Sequence, residues 1–81
     1  MTTRDEIKEE DYKSQVIVDK LDFYLEKNIK IHIKKLDGTF WNGTLISKLR
    51  DGIYIVQERK LGRAHLFVRD VVSVEEFEEK S

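Results

Sequence analysis

The spacing of apolar residues switches from a period near 3.6 to a period of two about a third of the way along the chain. After Ser14, Ile17, Leu21, Tyr24 and Leu25 recur at i, i+4, i+7 and i+8, the stripe of an amphipathic helix. Asp19, Lys20, Asp22, Glu26 and Lys27 fill most of the opposite face. Val16, Val18 and Phe23 widen the apolar surface beyond that stripe, as a helix does when it covers a barrel mouth or meets a neighbour. Ser14 suits the N-cap, and Asn28 suits the stop because Asn tolerates left-handed backbone. The spacing therefore predicts a helix from Ser14 to Lys27. Residues 1–13 carry only Ile7 and Tyr12 as sizeable apolar groups. They are read as a flexible acidic segment, because such composition does not offset the entropy of ordering, with backward extension of the following helix into them as the alternative.

Alternation then takes over. Ile29, Ile31 and Ile33 oppose Lys30, His32 and Lys34, the pattern of a half-buried strand. Asp37-Gly38 predicts a hairpin closed by a primed turn. A second strand runs from Thr39 to Lys48, with Phe40, Trp41, Leu45 and Ile46 divided between its faces. Gly43 lies in its interior, where glycine marks a bend, a bulge or a close backbone approach. Asp51-Gly52 is a second turn, Ile53 to Gln57 a third strand, and Lys60-Leu61-Gly62-Arg63 a further turn. Ala64 to Arg69 and Val71 to Val74 are the last two strands, nearly continuous around a tight corner at Asp70. One helix followed by five short strands predicts a mainly β fold, a strongly bent antiparallel barrel, closed or nearly so. Trp41 is expected at least partly in its core. The barrel domain is assigned to residues 14–76 and an acidic tail to 77–81, in which only Phe77 has an apolar surface to pack.

Composition narrows the chemistry. The 81 residues include no cysteine and no proline, which removes disulfides and thiolate metal sites. Two histidines, His32 and His65, do not make a metal cage. No cofactor is expected. No apolar run approaches the ~18 residues of a membrane span, and the polar start is unlike a signal peptide, so a cytoplasmic protein with no membrane partner is expected. Ser14, Ser47, Ser73 and Ser81 lack a nucleophile context, and the four glycines fall one per turn or bend. The chain is therefore read as a non-enzyme without a small-molecule substrate. The net charge of −1 conceals an asymmetry. Between Lys27 and Arg69 ten basic side chains face three acids, a balance of +7, while the rest of the chain carries −8. Such a body is the electrostatic footprint of a nucleic-acid binder, or simply the solvated outer face and protected edges of a sheet.

The segment Asp37-Gly38-Thr39-Phe40-Trp41-Asn42-Gly43 resembles the first Sm motif, preceded by the Ile29/Ile31/Ile33 strand and followed by Leu45. Leu61-Gly62 and Leu66-Phe67-Val68-Arg69-Asp70-Val71-Val72-Ser73-Val74 resemble the second. Over about residues 14–75 the chain is similar to the Sm-like (LSm, Hfq-like) family, and its compact last corner is closer to the Hfq form. The resemblance implies an SH3-like barrel and a homo-oligomeric ring of six or seven copies. It also implies single-stranded RNA as partner, in an RNA chaperone or RNA-processing scaffold. Arg69 matches the family's base-stacking, phosphate-reaching arginine, and Lys48 and Arg50 flank the turn that carries its pocket loop. His65 and Tyr54 complete the expected RNA site, with Phe67 near the loops, since single strands are held by stacking and basic tracks. The family's uracil-holding Asp and Asn fall at Leu49 and Ile53, or the Asn at Ile55 if Asp51 is taken as the Asp. Asp70 replaces the glycine after Arg69. Phosphate contact should therefore dominate over base reading. The alternative is an oligomeric Sm-like or SH3-like interaction module that has lost RNA binding. Either way, the last two strands are apolar and free of proline, and unpaired edges of that kind recruit a neighbour's strand.

Overall fold

A computed structural model describes residues 3–77 and the side chains of residues 13–77; Met1, Thr2 and residues 78–81, most of the predicted acidic tail, lie outside them. The helix α1 spans Thr3–Lys27. It begins well before Ser14, which lies inside it instead of capping it. The run from Arg4 to Lys13 contains neither Gly nor Pro and is rich in Glu and Lys, strong helix formers that give α1 no reason to stop. Its other end behaves as the sequence predicts. Asn28 takes φ +57°, and the N–H groups of Asn28 and Ile29 donate to the carbonyls of Leu25 and Tyr24 at 3.2 and 3.0 Å. That pair of bonds is a Schellman motif, which satisfies carbonyls the helix leaves without partners.

Five strands follow: β1 Lys30–Lys35, β2 Phe40–Arg50, β3 Ile53–Glu58, β4 Gly62–Phe67 and β5 Val71–Glu76. All pair antiparallel, in the order β4-β3-β2-β1-β5. The sheet is not closed into a barrel, because β4 and β5 are its two edges and do not pair with each other. The link between them also differs from the expected continuous strands. Val68–Asp70 forms one turn of 3-10 helix, so Val68 and Arg69 leave the ladder, and the turn tucks Val68 into the core.

Turn chemistry sets the register. Gly38 N–H donates to Lys35 O at 3.0 Å, and Lys35 N–H donates to Thr39 O at 2.9 Å. This encloses a three-residue loop with Gly38 at φ +87°, the arrangement of a type I turn ending in a left-handed glycine rather than the expected two-residue primed turn. Asp37 accepts from the Thr39 hydroxyl at 2.6 Å and its N–H at 3.0 Å. In β2, Gly43 marks a close approach. A Cβ there would collide with the Gln57 carbonyl oxygen and sit 3.0 Å from Glu58 Cα, so only glycine lets β2 lie against β3 at this point.

The core gathers Leu21 of α1, Ile31, Ile33, Leu45, Tyr54, Val56, Leu66 and Val74 with Val68 and Val71. Ile17, Val18, Tyr24, Leu25, Ile29 and Trp41 pack around it. Trp41 is half-buried, as expected, with Lys35 Nζ 3.9 Å from the ring centroid. Of the residues outside the helical stripe, Val18 packs inward, while Val16 and Phe23 stay exposed. α1 lies across β2, β5 and the 3-10 turn.

Candidate nucleic-acid interface

Two turns meet at one end of the sheet. Asp51 and Gly52 join β2 to β3, with Gly52 at φ +82°. The 3-10 turn joins β4 to β5. Val68 N–H donates to Gly52 O at 2.9 Å, and Leu36 N–H donates to Asp70 O at 2.9 Å, so three connections are fastened together by backbone alone. Arg50, the last residue of β2, and Arg69, in the 3-10 turn, are both exposed on this end. The Arg69 guanidinium lies 5.3 Å from the Phe67 ring centroid, within cation–π range. A hollow of about 470 Å³ opens beside them, lined by Ser14, Asp51, Gly52, Phe67 and Arg69 among others. His65 is exposed on β4, opposite Ile55.

The other two expected residues are placed differently. Tyr54 is fully buried and cannot stack on a base from the surface. Its hydroxyl donates to Asp22 Oδ1 at 2.6 Å. Burial pushes the phenol well above its usual range, and the Asp22 carboxylate adds to the effect. Lys48 is drawn to the same place: its Nζ lies 3.3 Å from Asp22 Oδ1 and 3.9 Å from Asp51 Oδ1. Lys48, Asp22 and Tyr54 thus form a clamp between α1 and the β2–β3 pair. The expected five residues therefore divide into Arg50 and Arg69 at the tip, His65 on the adjoining strand, and Lys48 and Tyr54 in the clamp. Leu49, at the position where the resemblance would put an Asp, is exposed, and Ile53 is half-buried at the start of β3.

Comparison with family models, with curated proteins and with solved structures finds no match to this chain.

One buried polar group, Glu58, went unnoticed in the sequence, and His32 lies on the outer strand face expected of it. Glu58 is 5% exposed and accepts the N–H groups of Asn42 at 2.9 Å, Lys60 at 2.6 Å and Leu61 at 2.9 Å. Burial alone would raise its pKa; the backbone donors of Asn42, Leu61, Lys60 and Arg59 outweigh that and hold it below the ordinary value. Glu58 continues the parity of Tyr54 and Val56 along β3, but Ile53 and Ile55 make the other parity apolar as well, so no sequence signal singled it out. His32 sits on the outer face, its Nδ1 paired with Asn42 Oδ1 at 2.5 Å and its ring stacked on Phe40 at 5.0 Å. Both are structural: neither opens on the tip.

Proposed function

We propose that this chain is an Sm-like subunit of a homo-oligomeric ring that holds single-stranded RNA by its phosphates at a cationic rim. It binds, and does not catalyse. The observation that carries the reading is the bond from Val68 N–H to Gly52 O, which sets Arg50 and Arg69 on one end of the subunit. Among the described residues neither arginine has an ion-pair partner, whereas Lys48 does. Two cations without ion-pair partners among the described residues, one ending β2 and one in the 3-10 turn, suit phosphate, and the absence of an Asp/Asn pocket leaves little to read a base. Ring formation is supported by the sheet order, which leaves β4 and β5 as open edges on opposite sides of one subunit. A head-to-tail β4–β5 contact closes when its rotation divides a circle.

Filter binding with oligo-U, oligo-A and a duplex at two salt concentrations tests the RNA reading. Binding to both single strands, with similar affinity and a steep loss at higher salt, is expected. No binding at low salt would overturn it. Sedimentation of the same protein tests the ring, which a 9.6 kDa species at micromolar concentration would exclude. A second reading has its own observation. With Tyr54 buried and Lys48 clamped, the RNA site is smaller than the family pattern, as in an assembly module that has lost RNA binding. That reading expects oligomers without RNA affinity.

A further inference from the structure

We infer that the groove between α1 and β5 receives the acidic N-terminal segment, residues 1–12, of a second copy of this chain. The groove is a cavity of about 840 Å³. Its floor is apolar, with Ile17, Val68, Val71 and Val74, and its rim carries Lys13, Lys20 and Arg69; among the described residues no carboxylate lines it. An occupant must therefore be acidic and bring apolar side chains to the floor. Residues 1–12 hold Asp5, Glu6, Glu9, Glu10 and Asp11 against Arg4 and Lys8, a net −3, with Ile7 and Tyr12 as apolar members. Lys13 and Lys20 on α1 thus face an excess of acids, while Arg69, at the end of the groove, stays with the tip.

The pairing has to be in trans. Lys13, Ile17 and Lys20 are themselves on α1, so one wall of the groove is the helix that residues 3–12 extend. A continuous helix does not fold back into the groove beside it. Ten further residues carry the helix about 15 Å past Lys13, out toward a neighbour, and the molecule is accordingly 50 Å long against 24 and 21 Å in the other directions. The floor strand β5 is also an open edge, where the proposed ring puts the adjoining subunit. The inference rests on that oligomeric reading and adds a second, charge-paired contact to it.

The chain has no cysteine, which allows a clean test. Protein carrying Glu9→Cys is mixed with protein carrying Leu36→Cys, at the groove mouth, and oxidised, with sedimentation run on the same mixture. A disulfide-linked dimer of the two variants should form several-fold above a control mixture in which Gln57→Cys, on the exposed outer face of β3, replaces Leu36→Cys. Its yield should fall several-fold with Lys20→Glu, and also in about 1 M salt, where charges are screened beyond ~3 Å. Oligomers whose cross-link yield merely equals the control, or ignores both salt and Lys20→Glu, would overturn the inference and leave the ring standing. Sedimentation as monomer alone would overturn both.

Discussion

The body of the β2–β3 pair and its tip, where the 3-10 turn between β4 and β5 joins it, do opposite things with polar groups. In the middle, Gly43 lets the strands close on each other, Glu58 collects three backbone N–H groups, and Tyr54 and Lys48 converge on Asp22. No buried side-chain nitrogen or oxygen among the described residues lacks a partner. At the tip, a few residues on, Arg50 and Arg69 are exposed, beside backbone bonds between turns and without an ion-pair partner among the described residues. The middle pairs its polar groups within the fold; the tip leaves its two arginines exposed. Lys48 and Arg50 are two residues apart in β2 and fall on different sides of that divide because Asp22 reaches only the first.

The comparison predicts large stability losses in the middle. Gly43→Ala should cost about 3 kcal/mol or more, since the new Cβ meets backbone that cannot yield. Tyr54→Ala should cost about 3–5 kcal/mol from lost packing and the cavity left behind. Urea unfolding measures both, and a loss below about 1 kcal/mol in either would show that the strands or the core relax around the site.

Glu58 comes next. Glu58→Ala strips a buried acceptor from three backbone donors and should cost about 1–3 kcal/mol near neutral pH. The folded pKa lies below the ordinary 4.5, so the carboxylate's contribution is fully present above that value. It is lost as pH falls through the folded pKa. Wild type should therefore lose stability in acid more steeply than Glu58→Gln, and parallel pH profiles would remove Glu58 from the account.

Tyr54→Phe sharpens the divide more finely. The ring stays and only the hydroxyl bond to Asp22 goes, a change of about 1 kcal/mol. RNA affinity should be unaffected, and a selective loss of RNA binding without loss of stability would move Tyr54 back into the interface.

The tip should show the reverse pattern and the smallest stability effects. Arg69→Ala should stay within about 0.5 kcal/mol of wild type. For each phosphate contact removed it should flatten the salt dependence of single-strand binding by about 0.7 in the log–log slope. Arg50→Ala should behave alike, and Lys48→Ala should leave the slope unchanged. If Arg69→Ala dissolves the oligomer instead, Arg69 is a subunit contact and the rim is misassigned.

What the sequence determined by itself was local. The Ile29/Ile31/Ile33 alternation, the Asn28 stop and the glycines at positions 38, 52 and 62 fix where strands begin and where the chain turns, because backbone sterics and period-two burial act over a few residues. Element order and near-correct strand limits followed, and so did the exposure of Arg50, Arg69 and His65. The tertiary structure decided everything that depends on which distant residue lies opposite. In β3 both parities are apolar, Ile53 and Ile55 against Tyr54 and Val56, so pattern alone could not tell which face is inside. The structure buries Tyr54 and, with it, Glu58. Nor could spacing say that Asp22, thirty-two residues before Tyr54, would claim its hydroxyl and Lys48 together. Closure was likewise beyond local signals. Whether β4 meets β5 depends on the bend accumulated over the whole sheet, and here a single 3-10 turn at Val68–Asp70 delivers the two strands to opposite edges. Charge and turn residues are written in the chain; which charges remain available is settled only when strands distant in sequence come to lie side by side.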